Sequence, residues 1–242
     1  MTIKNQAVSY TAGENELKGF IAFDDEGDSS RPGVLVIHEW WGLDDYIRTR
    51  TNRLAELGYT ALAIDMYGDG ATADSPAEAG EMMNAVLGDM EIGTARLRAA
   101  YEVLCAQSVV DETRTAAIGY CFGGAMVLHM ARIGMPLRAV VSFHGALASL
   151  HTPTPGEIKS KILVCHGAND SLVSESDIEA FHVEMATAEA SIKFESYVDA
   201  LHGFTNPEAT ERGQIYGLPL AYDQRADEAS WSEMRALFDE VF

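Results

Sequence analysis

A cysteine flanked by glycines stands at the centre of the segment GYCFGGAM, residues 119–126. The segment follows an apolar run and precedes a run with helical periodicity, so the cysteine is predicted at a turn between a strand and a helix. Gly119 and Gly123 lie two residues before and after it and remove side chains that would collide in so tight a turn. This G-x-C-x-G pattern predicts that Cys121 is an exposed nucleophile.

The predicted helix start would act on Cys121 in two ways. The partial positive charge of a helix N-terminus favours a thiolate over a thiol. The backbone N–H of Phe122 is a candidate donor to an oxyanion that develops on a substrate. The alternative interpretation is a small buried apolar residue, which cysteine often is. Cys105, on a predicted helix, and Cys165, within an apolar strand, are interpreted in that second way.

The elements that must position Cys121 alternate between strand-like and helix-like patterns, with no linker or repeat. This alternation predicts a single α/β domain over residues 1–242, built on a mostly parallel sheet of about eight strands with helices on both faces. Two runs joined by a short turn at residues 13–15 predict an antiparallel N-terminal hairpin. Residues 205–222 are predicted as a loop. Helices are predicted at 45–57, 76–87, 91–107, 122–133, 174–188 and 223–241.

Candidates for an acid and a base follow later strands. In folds with this nucleophile turn, the acid and then the histidine come after the nucleophile along the chain. Asp170 follows the strand in ILVCHGANDSLVS, and His202 follows the last strand in FESYVDALHGFTNP. His202 would take the thiol proton and later protonate the leaving group. Asp170 would hold the imidazole tautomer and stabilise its charge.

Other ionisable residues also end strands. Three histidines are secondary candidates for lining the site, although hydrogen bonds to neighbouring loops would also explain them: His38, His144 and His166. Three more are interpreted as structural: His129, His151 and His182. Asp65 ends a strand as well, and we interpret it as a structural partner of the following loop.

The loop HEWWG, residues 38–42, follows the strand VLVI. In folds with such a nucleophile turn, a second oxyanion amide comes from this loop, and the N–H of Trp40 is the candidate. Glu39 is a carboxylate beside the predicted site, where it could act as a base or restrain the thiol. Its alternative interpretation is a surface residue at a helix entrance. The pair Trp40–Trp41 is more typical of packing than of ligand contact.

Composition excludes several partner classes. The formal net charge is −20, with 37 acidic against 17 basic residues, which argues against nucleic acid and anionic membranes as partners. Three cysteines do not form a disulfide framework, and the N-terminus lacks a signal-peptide pattern, so a cytoplasmic location is predicted. Metal-ligand spacings and phosphate-binding loops are absent, so no metal or cofactor is predicted. The oligomeric state stays open.

Four motifs in order, HEWWG, GYCFGG, GANDSLV and LHGF, resemble the dienelactone hydrolase family, the cysteine-nucleophile (carboxymethylenebutenolidase-like) branch of the α/β-hydrolases. The resemblance covers nearly the whole chain. It implies the α/β-hydrolase fold, a triad of Cys121, Asp170 and His202, and oxyanion amides at Trp40 and Phe122. It also implies that Glu39 contacts the nucleophile and helps to set its protonation state.

One departure concerns substrate binding. Dienelactone-cleaving members of the family hold the substrate carboxylate with two arginines. The corresponding neighbourhoods here read DMYGDG and HGFTN, with Asn206 in the second position and no arginine in either. The chain is therefore predicted to hydrolyse a small ester or lactone through an acyl-thioester on Cys121. The identity of that substrate stays open, because Arg48, Arg50 or Arg212 could take the place of the missing arginines. The alternatives are a thioesterase or broad carboxylesterase and, less favoured, a non-catalytic binding or sensor protein.

Overall fold

A computed structural model describes residues 2–26 and 30–242 of the chain. The strands are β1 (Ile3–Ala12), β2 (Asn15–Asp24), β3 (Arg31–Ile37), β4 (Thr60–Ile64), β5 (Val110–Tyr120), β6 (Ala139–Phe143), β7 (Lys161–Gly167) and β8 (Ile192–Tyr197). The helices are α1 (Asp45–Glu56), α2 (Pro76–Leu87), α3 (Met90–Cys105), α4 (Phe122–Arg132), α5 (Glu175–Thr187), α6 (Ala209–Tyr216) and α7 (Gln224–Val241).

Contacts divide the chain into two compact units, of which the first is Met1–Ala117. Its strands β1 and β2 pair in antiparallel register, with Ala12 opposite Asn15, so the predicted hairpin is confirmed. Gly13 begins the connecting turn with φ +61°, a value that glycine adopts without steric cost. Strand β2 is also antiparallel to β4, whereas β3 and β4 are parallel.

The second unit is Ile118–Phe242. Its strands β6, β7 and β8 are parallel neighbours. Strand β5 begins in the first unit and ends in the second, and the strand order is β1-β2-β4-β3-β5-β6-β7-β8. The fold class predicted from the sequence is thus confirmed as a mostly parallel, eight-stranded sheet of the α/β-hydrolase type. The single domain over 1–242 stays a prediction.

Burial explains why these segments form strands. Every residue of β4 and of β6 is buried, as expected for parallel strands covered on both faces. Each fully buried Val, Leu or Ile side chain contributes about 1.5–3 kcal/mol of hydrophobic free energy. Side chains also define the helix starts: Ser174 caps α5 in a capping box with Asp177, and Ser75 caps α2.

Helix α6 was not expected from the sequence, which predicts a loop over 205–222. Its helical signal is weak because only Ala209 and Gly213, four residues apart, are buried. Gly217 ends the helix in the left-handed conformation, with φ +67°. Packing of this narrow stripe of small residues, rather than local propensity, therefore determines the helix.

No helix among residues 2–26 and 30–242 combines the length and the apolar character that crossing a membrane requires.

Candidate active site

Cys121 lies in the turn between strand β5 and helix α4. Its backbone has φ +53° and ψ −112°, a conformation that is strained for any residue except glycine. The side chain is partly exposed, although Tyr120 and Phe122 on either side of it are buried. A strained residue at the end of a strand and the start of a helix is the geometry of a nucleophile elbow.

Close backbone contacts make this turn tight. A Cβ atom on Gly119 would lie 2.0 Å from the carbonyl oxygen of Gly123. A Cβ on Gly124 would lie 2.7 Å from both the Cα of Gly145 and the hydroxyl of Ser142. No side chain fits at either glycine, because the obstructing atoms include backbone that cannot move without dismantling the turn.

A pair of glycine substitutions measures this constraint. We expect Gly119→Ala to lose more than about 4 kcal/mol of stability or to prevent folding, because its Cβ meets backbone. Gly80, inside helix α2, has no atom within 4 Å of its would-be Cβ. Gly80→Ala is therefore the matched control and should stabilise the protein by about 0.5–1 kcal/mol. Urea unfolding measures both, and a Gly119→Ala protein as stable as the original would contradict the elbow geometry.

Asp170 and His202 form a buried hydrogen-bonded pair. The Nδ1–H of His202 donates to Oδ2 of Asp170 over 2.8 Å. The other carboxylate oxygen of Asp170 accepts the N–H of Leu172 over 2.9 Å. Both members of the pair are nearly inaccessible, with 6% of His202 and 4% of Asp170 exposed. The aspartate thus holds the imidazole with its Nε2 atom directed away from the carboxylate.

Backbone bonds join the loops that carry this pair. The N–H of Asn169 donates to the carbonyl of Ala200 over 2.9 Å, and the N–H of Ala168 donates to the carbonyl of Tyr197 over 2.9 Å. Gly167 makes this approach possible, because a Cβ there would lie 2.6 Å from the carbonyl oxygen of Ala200. The acid loop after β7 and the histidine loop after β8 are therefore fixed against one another.

Cys121 interacts with His202 through charge. Burial alone would lower the pKa of His202, but the negative charge of the Cys121 thiolate and the hydrogen bond to Asp170 outweigh it and raise that pKa well above its ordinary value. Nε2 of His202 is buried and makes no hydrogen bond of ordinary geometry among the described residues. Cys121 and Asp170 thus act on the same imidazole, and both favour its protonated form.

The other two cysteines lie in different environments. Cys165 is fully buried, and burial raises its pKa to about 12. Burial also raises the pKa of Cys105. None of the three cysteines forms a disulfide bond. At neutral pH the thiols of Cys105 and Cys165 are therefore protonated and weakly nucleophilic.

The remaining strand-end histidines have separate environments. His144 is 1% exposed and accepts a hydrogen bond from the backbone N–H of Cys121 at 3.1 Å. His166 is 4% exposed, and its burial lowers its pKa. His38 belongs to the first unit. Sequence reasoning ranked these three equally, because the strand-end position is the only signal they share.

The loop after β3 lies in the first unit. Glu39 is 5% exposed, so it is not the surface residue that its alternative interpretation describes. Its carbonyl accepts the Nδ1–H of His38 at 2.5 Å and the N–H of Gly42 at 3.2 Å. The carbonyl of Trp40 accepts the hydroxyl of Tyr67 at 2.9 Å. These bonds hold the two carbonyl groups of the Glu39–Trp40 segment in place. The same segment carries the backbone N–H of Trp40, which is the predicted oxyanion donor.

The tryptophan pair takes part in packing. Trp41 is buried in a small apolar cluster with Ala73 and Ala79, and the Trp40 ring packs against this cluster. The two indole rings meet edge to face at a centroid distance of 5.0 Å. The Trp41 side chain thus anchors the loop to helix α2.

Asp65 organises the loop that follows strand β4. Its two carboxylate oxygens accept four backbone N–H bonds of 2.7–3.0 Å, from Lys18, Tyr67, Gly68 and Gly70. Its side chain therefore has a structural role in this loop.

His38 makes a specific acid-dependent contribution to stability. Burial lowers its pKa to about 4, against opposing contributions from its hydrogen bond to the Glu39 carbonyl and from the charge of Asp65. Its Nε2 accepts the N–H of Met66 at 3.2 Å, a bond that protonation of Nε2 removes. The neutral imidazole is thus the form that the folded protein holds.

We therefore expect His38 to destabilise the protein as the pH falls from about 6.5 to about 4. Over that range the His38 imidazole is protonated in the unfolded chain but stays neutral in the folded protein. The loss reaches about 3 kcal/mol at the acid end. His38→Asn, which keeps a donor near the Glu39 carbonyl but does not titrate, should show a flatter dependence of unfolding free energy on pH. His182→Asn, at an exposed histidine, is the control. Equal slopes for His38→Asn and the unaltered protein would contradict the assignment.

The positions where dienelactone-cleaving relatives carry arginines are occupied differently. Asn206 is 1% exposed, and its side-chain oxygen accepts the N–H of Glu208 at 2.9 Å. Arg212, the nearest arginine along the chain, pairs with Glu208 at 2.6 Å. Asn206 thus caps a local turn and supplies no positive charge.

The chain is similar to known proteins in sequence and in fold. The model of the dienelactone hydrolase family matches residues 17–242. A solved structure described as m3DLH superposes with a TM-score of 0.93 at 40% identity, over 100% of both chains. A dienelactone hydrolase-like promiscuous phosphotriesterase, P91 from metagenomic libraries, superposes with a TM-score of 0.91 at 38% identity, also over 100% of both chains. A Yersinia pestis protein assigned as a carboxymethylenebutenolidase is 24% identical over 199 residues, which are 78% of this chain and 74% of that protein.

Proposed function

Because the chain belongs to the dienelactone hydrolase family and is an ester hydrolase, we propose that it cleaves a small ester or lactone through an acyl-thioester on Cys121. His202 is the general acid and base, and Asp170 orients it. The observation that carries the proposal is the buried 2.8 Å bond between His202 and Asp170, with the Cys121 charge acting on the same imidazole.

In this proposal each step of ester hydrolysis is carried out by one of the three residues. The Cys121 thiolate attacks the substrate carbonyl carbon, and a tetrahedral oxyanion forms. The imidazolium of His202 donates its Nε2 proton to the leaving alkoxide, the C–O bond breaks and a thioester remains. Water then loses a proton to Nε2 and attacks the thioester, and Cys121 departs as a thiolate. Asp170 balances the imidazolium charge and keeps the Nδ1 proton on the side away from the reaction.

Backbone amides would stabilise the oxyanion. The N–H of Cys121 donates to the carbonyl of Phe143 at 3.0 Å and to His144, so this amide is engaged within the protein. The amide of Phe122, the first residue of α4, is the donor that we assign on the nucleophile turn. Trp40 as second donor and Glu39 as the carboxylate that sets the thiol's protonation state remain predictions from the family resemblance.

The substrate class follows from the missing arginines. Asn206 occupies one arginine position, and the other neighbourhood contains Asp69 and Gly70. Two cations beside that second neighbourhood are engaged within the protein, since Lys18 pairs with Asp69 at 3.0 Å and the Arg96 guanidinium donates to the carbonyl of Met66. The net charge of −20 adds a general repulsion of anions. We therefore propose neutral esters and lactones as substrates, and no metal or cofactor in the reaction.

A panel of substrates tests this proposal. Neutral nitrophenyl esters and γ-lactones should be hydrolysed with a higher kcat/KM than dienelactone, which carries a carboxylate, and than acyl-CoA thioesters. A preference for acyl-CoA would favour the thioesterase alternative. Absence of hydrolysis of every panel member would overturn the proposal in favour of a non-catalytic protein.

Phosphotriester hydrolysis is a second candidate. Its support is P91, the promiscuous phosphotriesterase that matches 100% of this chain at 38% identity. A neutral phosphotriester has an electrophilic centre and a leaving alkoxide, as an ester does, so the same thiolate and imidazolium could act on it. Paraoxon hydrolysis that disappears in Cys121→Ser would support this activity, and turnover at the uncatalysed rate would exclude it. The cytoplasmic location stays a prediction, as does the exclusion of nucleic acid partners.

A further inference from the structure

His144 has a strained backbone and a fully enclosed side chain. It directly follows strand β6 and has φ +41°, in the left-handed region that few non-glycine residues occupy. Only 1% of the residue is exposed. Strain of this kind persists where surrounding contacts hold the residue in place, and it is concentrated at functional sites.

Two hydrogen bonds determine the protonation of this ring. The backbone N–H of Cys121 is shared between the carbonyl of Phe143 at 3.0 Å and Nδ1 of His144 at 3.1 Å, and because a backbone N–H can only donate, Nδ1 accepts in this shared bond and carries no proton. In the neutral ring, Nε2 then carries the proton and donates to the hydroxyl oxygen of Thr205 at 2.7 Å. Both nitrogens are used, and a proton on Nδ1 would remove the bond to Cys121.

The two hydrogen-bond partners of His144 lie on the two segments that carry the proposed nucleophile Cys121 and the proposed base His202. One is the amide of the nucleophile itself, and the other is the residue three positions after His202. The His144 ring also lies edge-on to the His202 ring, with centroids 5.2 Å apart, and to the Phe204 ring at the same distance. His144 thus connects the nucleophile turn to the histidine loop through hydrogen bonds, although the two segments are far apart along the chain.

We infer that His144 is a positioning residue, which sets the separation of the Cys121 sulfur and the His202 Nε2 by holding the turn and the loop at either end of its ring. It acts through Cys121 and His202 and does not itself touch the reacting atoms. The inference rests on the proposed function, since it gives His144 a role in that reaction.

Three substitutions distinguish the contribution of the His144 bond to Cys121 from that of its bond to Thr205. In His144→Asn, the side-chain oxygen takes the place of Nδ1 and keeps an acceptor for the Cys121 N–H, and asparagine tolerates left-handed backbone. In His144→Phe, the ring keeps its shape but loses both bonds. Thr205→Val replaces the hydroxyl that accepts from Nε2 with a methyl group, in a side chain of similar shape. Thr205 is fully buried. All three are assayed on the best ester of the panel.

The expected signature is a loss in kcat with little change in KM, because misplacement of reacting groups affects the chemical step more than substrate binding. We expect His144→Phe to lower kcat by about 10- to 100-fold, with KM changing by less than about 3-fold. His144→Asn should recover most of that loss, and Thr205→Val should fall between them. His129→Phe, at a buried histidine two turns along helix α4, is the matched control and should keep kcat within about 2-fold.

Two kinetic results with His144→Phe would each overturn the inference. One is a folded His144→Phe protein whose kcat stays within about 2-fold of the original, and the other is a rise in KM at unchanged kcat, which would place His144 against the substrate. If His144→Phe does not fold, Thr205→Val decides the question, because a kcat unchanged within about 2-fold there would show that the bridge is dispensable.

A substrate-free measurement keeps this test apart from that of the proposed function. Iodoacetamide should alkylate Cys121 selectively, because burial raises the pKa of both other thiols. The alkylation rate at pH 7 should fall in His144→Phe and recover in His144→Asn, since the thiolate depends on its separation from the His202 imidazolium. A protein that hydrolyses no ester but shows this pattern would overturn the proposed function alone. Equal alkylation rates in all variants would overturn the inference about His144.

Discussion

Replacing Cys121 with alanine should reduce ester hydrolysis by at least about 10⁴-fold, to the level that the remaining polar groups and substrate binding can support. The reason is that the thiolate forms the covalent bond to the acyl group, and no other described cysteine offers a substitute. Cys165 is fully buried with its pKa raised to about 12, and burial also raises the pKa of Cys105. The loss should appear in kcat.

The measurement is steady-state hydrolysis of the best panel ester, together with mass spectrometry of the quenched reaction. The unaltered protein should carry an acyl group on the peptide that contains Cys121, and Cys121→Ala should carry none. Cys105→Ala, at a partly exposed cysteine on helix α3, is the matched control and should keep full activity. Undiminished activity in Cys121→Ala would refute the covalent mechanism.

Replacing Asp170 with asparagine should lower kcat by about 10³- to 10⁴-fold while the fold survives. An asparagine in this place can turn its NH₂ group toward Nδ1 of His202, which then becomes an acceptor and moves the imidazole proton to Nε2. In that tautomer Nε2 cannot accept the proton of the thiol or of water. The substitution also removes a charge that stabilises the imidazolium, since the bond to Asp170 raises the pKa of His202.

The pH dependence of the variant distinguishes this effect from simple loss of stability. Because Asp170 contributes to the raised pKa of His202, the imidazolium in Asp170→Asn should lose its proton at a lower pH than in the unaltered protein, which NMR titration of the imidazole measures. Asp177→Asn, in the capping box of helix α5, is the control: it removes a carboxylate that bonds to Ser174 and should cost only about 1 kcal/mol of stability, with activity unchanged. A His202 titration curve identical in Asp170→Asn and the unaltered protein would contradict the pairing.

Local patterns were sufficient to predict the elements and the order of the reactive residues. The strand and helix that flank Cys121 could be predicted because apolar periodicity and glycine spacing are properties of neighbouring residues. Asp170 and His202 could be selected because each directly follows a strand and because the order of nucleophile, acid and base along the chain limits the choice. Helix α6 could not be predicted, since its stripe of two small buried residues becomes stabilising only when another surface packs on it.

The tertiary structure alone determined how these residues act together. The bond from Cys121 to His144 joins residues 23 positions apart, and that from His144 to Thr205 joins residues 61 positions apart, so no local pattern contains either. The same is true of the raised pKa of His202, which depends on burial and on charges brought together by folding. The sequence by itself therefore determined which groups are present and at which strand ends they lie. Their distances, tautomers and charges depend on long-range packing, because hydrogen-bond geometry and desolvation exist only once the distant segments are in contact.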